Sequence, residues 1–306
     1  MGVTSPEPDR RPLMTTSPPL LSGLADIADR YDGFILDLWG CIHDGVAPFK
    51  HVPDALRRVS ALGKRRLVLS NAPRRANAVI ASMRRLGVPD DVYDAVLSSG
   101  EAAWQALKRR DDPWHAALGN RCLLIGPERD YGMLDGNGLT KVAKPEDATF
   151  VLVTGPNEDD QDVAAHEAQL AACLARNLPM LCANPDLVVM RGPQLLICAG
   201  ALAERYLELG GSVRHHGKPH AAIYERALPL LGVADKRRVL AVGDSMRTDV
   251  AGAIAAGIDV AFIPGGIHAE ALGVKEMGQT PGGEALAHLM RDFAAKPTWV
   301  LPELRW

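Results

Sequence analysis

Apolar residues along this chain fall into short runs separated by amphipathic stretches. Phe34-Ile35-Leu36-Asp37-Leu38 is a buried strand that reaches a carboxylate, and Trp39-Gly40-Cys41-Ile42-His43-Asp44-Gly45 follows as a glycine-bearing turn. The spacing predicts a helix over 21–30 with Leu21, Leu24 and Ile27 on one face, and another over 53–63 with Ala55, Leu56, Val59 and Leu62. A second strand over 66–70 ends on Ser70, and Asn71-Ala72-Pro73 turns the chain into a helix over 74–86. A strand and turn over 95–100 and a helix over 101–109 complete an alternation of strand and helix. Such alternation implies right-handed crossovers and a mostly parallel sheet covered on both faces.

Asp111-Asp112-Pro113 breaks that rhythm. Strands over 122–126, 149–155, 180–184 and 194–198, with a helix over 161–176, make the middle third a small α/β unit of its own. Beyond Gly210-Gly211 come His216-Gly217-Lys218-Pro219, a helix over 221–231 and a strand over 238–244 that ends on Asp244. An Ala- and Gly-rich helix over 248–256, a strand over 259–264 and a helix over 283–293 follow. The expected fold is therefore a doubly wound, Rossmann-like α/β core from residues 22–104 and 206–306, with 105–205 inserted and 1–21 a mobile tail.

Composition narrows the function. A formal charge of -3 and the lack of a long basic run argue against nucleic acid or an acidic membrane as partner. Aromatic content of 5% leaves little material for a base-stacking platform. Residues 1–20 hold five prolines and no apolar core of a signal peptide, and no run approaches a membrane span, so the expected location is the cytoplasm. Cys41, Cys122, Cys173, Cys182 and Cys198 include no C-x-x-C pair and read as reduced, mostly buried thiols.

Candidate chemistry gathers at strand ends. Asp37 and Asp244 are carboxylates in such positions, and the pair is costly without a positive charge between them. A hard divalent cation such as Mg²⁺ fits, since it takes carboxylate, carbonyl, water and phosphate oxygens. Lys218 adds a point charge suited to phosphate, Ser70 and the following N–H groups add donors, and one carboxylate is left as a nucleophile toward a phosphoryl group. Each feature has a plainer reading: a strand-end Asp or Thr248 as a helix cap, Ser70-Asn71 as an ordinary turn. Their joint occurrence in this order favours chemistry.

Gly217-Lys218-Pro219 followed by Gly243-Asp244-Ser245-x-x-Thr248-Asp249 resembles the closing motifs of the haloacid dehalogenase (HAD) superfamily, class IIA, the NagD-like hydrolases with a C2-type cap. The resemblance covers nearly everything from residue 22 onward. It implies a phosphatase with Asp37 as nucleophile, Ser70 and Asn71 at the transferring phosphoryl group, and Lys218 holding the charges together. It also implies Mg²⁺ held by Asp37, the Trp39 backbone carbonyl and Asp244, with Asp249 orienting a metal-bound water or Lys218. Asn184-Pro185-Asp186 is similar to the Asn-x-Asp turn of this cap type, so substrate selection falls to the region of Asn184, Asp186 and Arg191. The implied substrate is a small phosphorylated metabolite (sugar, nucleotide or related phosphate), and pairing of relatives through the cap makes a homodimer an open expectation.

Trp39 departs from the usual pattern, where a second Asp protonates the leaving group and then activates water. Indole can do neither, so slow turnover is expected. A sub-branch of the class opens its first motif Asp-x-Trp-Gly. Asp44, beyond the turn, is the candidate replacement, weighed against simply closing the turn with Gly45. Two alternatives stay open: a weakly active or non-catalytic phosphometabolite-binding protein, and a dehalogenase-type hydrolase, which the intact Gly243-Asp244 disfavours.

Overall fold

The computed structural model describes residues 18–191 and 194–306, with Arg191 described in its backbone alone. Residues 1–17 of the tail expected over 1–21, and the Arg191 side chain, therefore lie outside the described residues.

Strands covered by helices on both faces must be apolar on both, and the central strands here are. β1 (Gly33–Leu36) leads through α1 (Val52–Ala61) to β2 (Arg65–Ser70), then through α2 (Ala76–Arg85) to β3 (Ala95–Ser98) and α3 (Ser99–Arg109). A short α4 (Pro113–Ala116), capped by Asp112, carries the chain into a second unit. That unit holds β4 (Arg121–Ile125), β5 (Thr140–Val142), β6 (Phe150–Val153), α5 (Glu167–Ala175) and β7 (Met180–Cys182). It continues with the hairpin β8 (Val188–Arg191) and β9 (Gln194–Ile197), then α6 (Ala199–Glu208) and β10 (Val213–His215). The chain returns through α7 (Ala221–Leu231), β11 (Val239–Gly243), α8 (Ala251–Ala256), β12 (Asp259–Phe262), α9 (Gly283–Arg291) and β13 (Trp299–Val300).

The core sheet runs β13-β12-β11-β1-β2-β3 and is parallel throughout. From β1 the chain winds outward to β3, then resumes on the other side at β11. This places a topological switch point between β1 and β11, where an open α/β sheet presents its ligand crevice. One apolar layer with Phe34, Leu36 and Val68 packs under one face of the sheet, and another with Ile35, Leu67 and Ile223 under the other. The second sheet, β10-β7-β6-β4-β5, is also parallel and has its own two apolar layers.

Three sequence expectations change. β10 pairs with β7 through Val213↔Met180, and Tyr206 of α6 is buried in the inserted unit, so that unit extends to about residue 215, past the expected boundary at 205. A three-residue strand leaves too little periodic signal to be seen in sequence. The helix expected over 21–30 is two 3₁₀ turns, Leu24–Asp26 and Ala28–Arg30. Residues 19–21 are not tail: Val300 N donates to Pro19 O at 2.9 Å and Leu21 N to Val300 O at 2.8 Å, at the edge of the core sheet. All five cysteines are buried, and none is in a disulfide among the described residues. Among the described residues, no helix is long and apolar enough to cross a membrane.

Candidate active site

Asp37 follows β1, Asp244 follows β11 and Ser70 closes β2, three neighbouring strands. Leu36 and Val242 are in register, so the two carboxylates leave adjacent strand ends. Asp37 continues the ladder by donating its N–H to the Val242 carbonyl at 2.8 Å. Lys218 enters from the chain's return to the core. Its buried ammonium lies 2.5 Å from Asp37 Oδ1 and 2.7 Å from Asp249 Oδ1.

Electrostatics follow from crowding. Burial works against the Lys218 charge, but Asp249 and Asp37 outweigh it and hold the ammonium well above its ordinary pKa. Burial pushes the Asp37 carboxyl up to about 7, with Lys218 pulling down and Asp249 pushing up. Asp244 is driven well above the carboxylate range, first by burial and then by Asp37 and Asp249. One lysine thus faces three buried carboxylates. That imbalance, with oxygens of Asp37 and Asp244 within 4.8 Å of each other, fits a hard divalent cation between them. The Cys41 sulfur lies in the same cluster, but burial and then Asp244 hold it as a thiol, a poor ligand for such an ion.

Asp244 is locked in place. Its Oδ2 accepts from Ile267 N at 2.8 Å. Gly40 sits at φ +75, and a Cβ there would come within 2.1 Å of that same oxygen, so the first-motif turn closes on Asp244 only as glycine. Of the two roles expected of Asp249, orienting a metal-bound water or Lys218, its bonds match the second and leave it no free oxygen for the metal-ligand role also considered. Its Oδ1 is taken by Lys218 and its Oδ2 by the Ser245 N–H at 3.1 Å. The five-residue π turn Met246–Val250 holds it in place, so Asp249 positions the lysine.

Asn71 is also less a substrate contact than a clamp. It accepts from Lys218 N at 2.8 Å and donates to Lys218 O at 3.0 Å and to Asp186 Oδ1 at 2.9 Å. Asn184 shapes the turn by accepting from Asp186 N at 3.0 Å. The motif-two turn and the cap's Asn-Pro-Asp turn are thus joined through Asn71. Ser70 is buried and lines the cavity with Asn71, Asn184 and Asp186.

Trp39 is partly buried and packs on its own turn. Its indole stands edge-on to His43 at 4.9 Å between centroids, and a Cβ on Gly45 would lie 2.5 Å from the ring. Asp44 lines the cavity, but its Oδ1 accepts from the N–H groups of Val46 and Ala47, both at 2.8 Å. Burial tends to raise its pKa, yet those backbone donors outweigh it and hold the carboxyl below its usual range. A group kept ionised is a poor leaving-group acid, and its bonds are those of the turn-closing alternative weighed in the sequence.

The inserted unit covers the carboxyl ends of the core strands and encloses a cavity of about 450 Å³. Val188, Val189, Met190, Leu196 and Ile197 of the β8–β9 hairpin form an apolar wall, and Asp130 and Thr154 a polar one. The sequence reading missed the polar wall. Its available signal was position: Asp130 lies just beyond β4 and Thr154 immediately after β6. Core and cap meet again where Arg247 donates to the Pro185 carbonyl at 2.9 Å. At the junction of the two units, His115 Nε2 lies 3.0 Å from His216 Nε2.

Comparison with known proteins agrees with this geometry. Residues 34–140 match the model of the haloacid dehalogenase-like hydrolases, and residues 215–306 a HAD-hydrolase-like model. A haloacid dehalogenase-like hydrolase of Brucella suis 1330 superposes with a TM-score of 0.79 at 35% identity, over 93% of this chain and 100% of that one. D-glycerol 3-phosphate phosphatase of Mycobacterium tuberculosis is 29% identical over 247 residues, 80% of this chain but 66% of that protein's length. NagD from E. coli K-12 shares the fold, with a TM-score of 0.63 at 20% identity over 90% of this chain and 97% of that one. Likeness to the Brucella protein runs through both parts of the core and the inserted sheet between them, and on that ground the chain belongs to the haloacid dehalogenase-like hydrolase family.

Proposed function

We propose that this hydrolase acts on small-molecule phosphate monoesters through an aspartyl-phosphate on Asp37. The observation that carries the reading is the Lys218 ammonium held between Asp37 and Asp249 beneath a cap-enclosed cavity. A carboxylate so placed has a cation beside it to screen its approach to a phosphate. Phosphatase names among the relatives, including the D-glycerol 3-phosphate enzyme, support the same reaction class.

Asp37 attacks phosphorus in line, the P–O ester bond breaks with its electron pair on the leaving oxygen, and the alkoxide departs to take its proton from water. Lys218 and Ser70 stabilise charge on the phosphoryl oxygens. Water then hydrolyses the acyl phosphate, releasing inorganic phosphate and restoring the carboxylate. Mg²⁺ would be held by Asp37, Asp244 and the Trp39 carbonyl, and when bound supplies positive charge for the phosphoryl oxygens. Trp39 offers no proton to the leaving group, so turnover is slow and poor leaving groups suffer most.

The test is phosphate release from a panel of phosphorylated metabolites, with Mg²⁺ and after chelation. Release that needs the metal and disappears in Asp37→Asn supports the reading. Tight binding of a phosphorylated metabolite without release would favour a sensor instead.

A further inference from the structure

Two buried polar atoms of the cap have no hydrogen-bond partner: Asp130 Oδ1 and Thr154 Oγ1. Both residues are 3% exposed and both line the cavity. Protein interiors pair nearly all such atoms, because an unpaired one loses its hydration without replacement. They lie beyond the carboxyl ends of β4 and β6, neighbours in the cap sheet. From β4 the chain turns outward to β5, whereas from β6 it turns the other way to β7. The crevice between these two ends is a topological switch point. The cap therefore turns a ligand crevice of its own toward the cavity that the core's crevice opens into.

The chemistry of the pair limits what it can receive. Arg74 Nε stands 3.7 Å from Asp130 Oδ1, and Arg129 adds a second positive charge nearby. A carboxyl already faced by cations has no need of an ammonium ligand; its neutral neighbour is the Thr154 hydroxyl, yet Asp130 Oδ1 and Thr154 Oγ1 both lack a partner at full hydrogen-bond geometry. Burial raises its pKa against those cations, and a hydroxyl can bond either the protonated or the ionised form. The Thr154 hydroxyl can both donate and accept. Alcohol hydroxyls match both residues, while the apolar hairpin that lines the same cavity suits a carbon skeleton.

We propose that Asp130 and Thr154 form a hydroxyl-binding subsite for the alcohol half of the substrate, so that the ester taken is the phosphate of a polyhydroxy alcohol or sugar. This rests on the phosphatase reading above. Asp130→Ala, Asp130→Asn and the near-isosteric Thr154→Val are compared with the unaltered protein on glycerol 3-phosphate and on p-nitrophenyl phosphate, which has no hydroxyl. Initial rates are taken with Mg²⁺, and binding is measured by calorimetry with Ca²⁺ in its place. The expected result is a fall of tenfold or more in the preference for glycerol 3-phosphate over the aryl ester, read both in kcat/KM and in Kd. Asp130→Asn should recover part of it. An equal effect on both esters, or no effect in both Asp130→Ala and Thr154→Val, overturns the subsite. If the unaltered protein binds both esters and hydrolyses neither, the phosphatase reading fails; a Kd preference lost in the variants still upholds the subsite.

Discussion

Asn71 donates to Asp186 in the cap at 2.9 Å and to the Lys218 carbonyl in the core at 3.0 Å, from the same nitrogen. One amide therefore ties the position of Lys218 to the position of the cap. Asn71→Ala removes both bonds and also the acceptor for Lys218 N–H. Each buried group left unpaired costs about 1–3 kcal/mol. We expect kcat to fall at least about tenfold and the melting temperature to drop. Asp186→Ala should lower kcat less, because the Asn71–Lys218 pair survives. Steady-state kinetics and thermal melts on the two variants decide this, and equal kcat losses would contradict it.

Asp44→Asn should leave turnover of a phosphate ester within about twofold of the unaltered protein. Asparagine keeps the acceptor that Val46 and Ala47 use, so the turn persists while the carboxylate is lost. A tenfold fall on an alkyl phosphate, with no loss of thermal stability, would return Asp44 to the mechanism.

Trp39→Asp places a carboxylate where the family resemblance leads one to expect a leaving-group acid. General acids contribute about 10²–10⁴-fold. We expect alkyl phosphates to gain more than p-nitrophenyl phosphate, narrowing the gap between them by tenfold or more. The variant should also melt earlier, since the indole packs against Gly45 and His43. Parallel changes on both esters would show that no acid was missing.

Buried histidines, His43 and His216 among them, favour the unfolded chain in acid. Burial lowers His43 from 6.5 to about 4, and burial followed by the neighbouring His115 lowers His216 to about 3. Below pH 6.5 the unfolded chain takes up protons that these sites refuse in the folded state. Their stabilisation is present above that pH and is lost as it falls, by up to about 1.4 kcal/mol per pH unit for each. Asp37 and Asp244, whose carboxyls burial raises, act in the opposite sense over the same range, so the histidine contribution is read as a difference: from pH 6.5 toward pH 4 the melting temperature of His216→Gln should change in the variant's favour relative to the unaltered protein. A difference between the two proteins that stays constant over that range would contradict the assignment.

The parts of the site that sequence made legible are those set by position along a strand. Asp37 and Asp244 stand where apolar runs stop, and parallel strands put such ends side by side. Asp249 was harder, because spacing places it near the acidic strand ends but does not say which groups claim its oxygens; Lys218 and Ser245 N–H claim both. Asn71 reads as a turn residue in sequence, and its clamp depends on two segments more than a hundred positions away. Asp130 sits in Gly126-Pro127-Glu128-Arg129-Asp130, which has the composition of a solvated loop; its burial comes from the cap closing against Arg74. β10 and β13 are too short to show a period and are strands because neighbours offer them a ladder.

The chain leaves the core after α3 and comes back at His216-Gly217, and the side chains of His115 and His216 meet at 3.0 Å across these two crossings. An insertion whose ends already touch can be exchanged for another without stretching the frame that holds it. Substrate range and catalytic competence are then inherited as separate modules, with one exception. A cap grafted from elsewhere would have to bring an acceptor for Asn71 at the place of Asp186, or the transplanted enzyme would acquire a new pocket and lose its grip on the lysine.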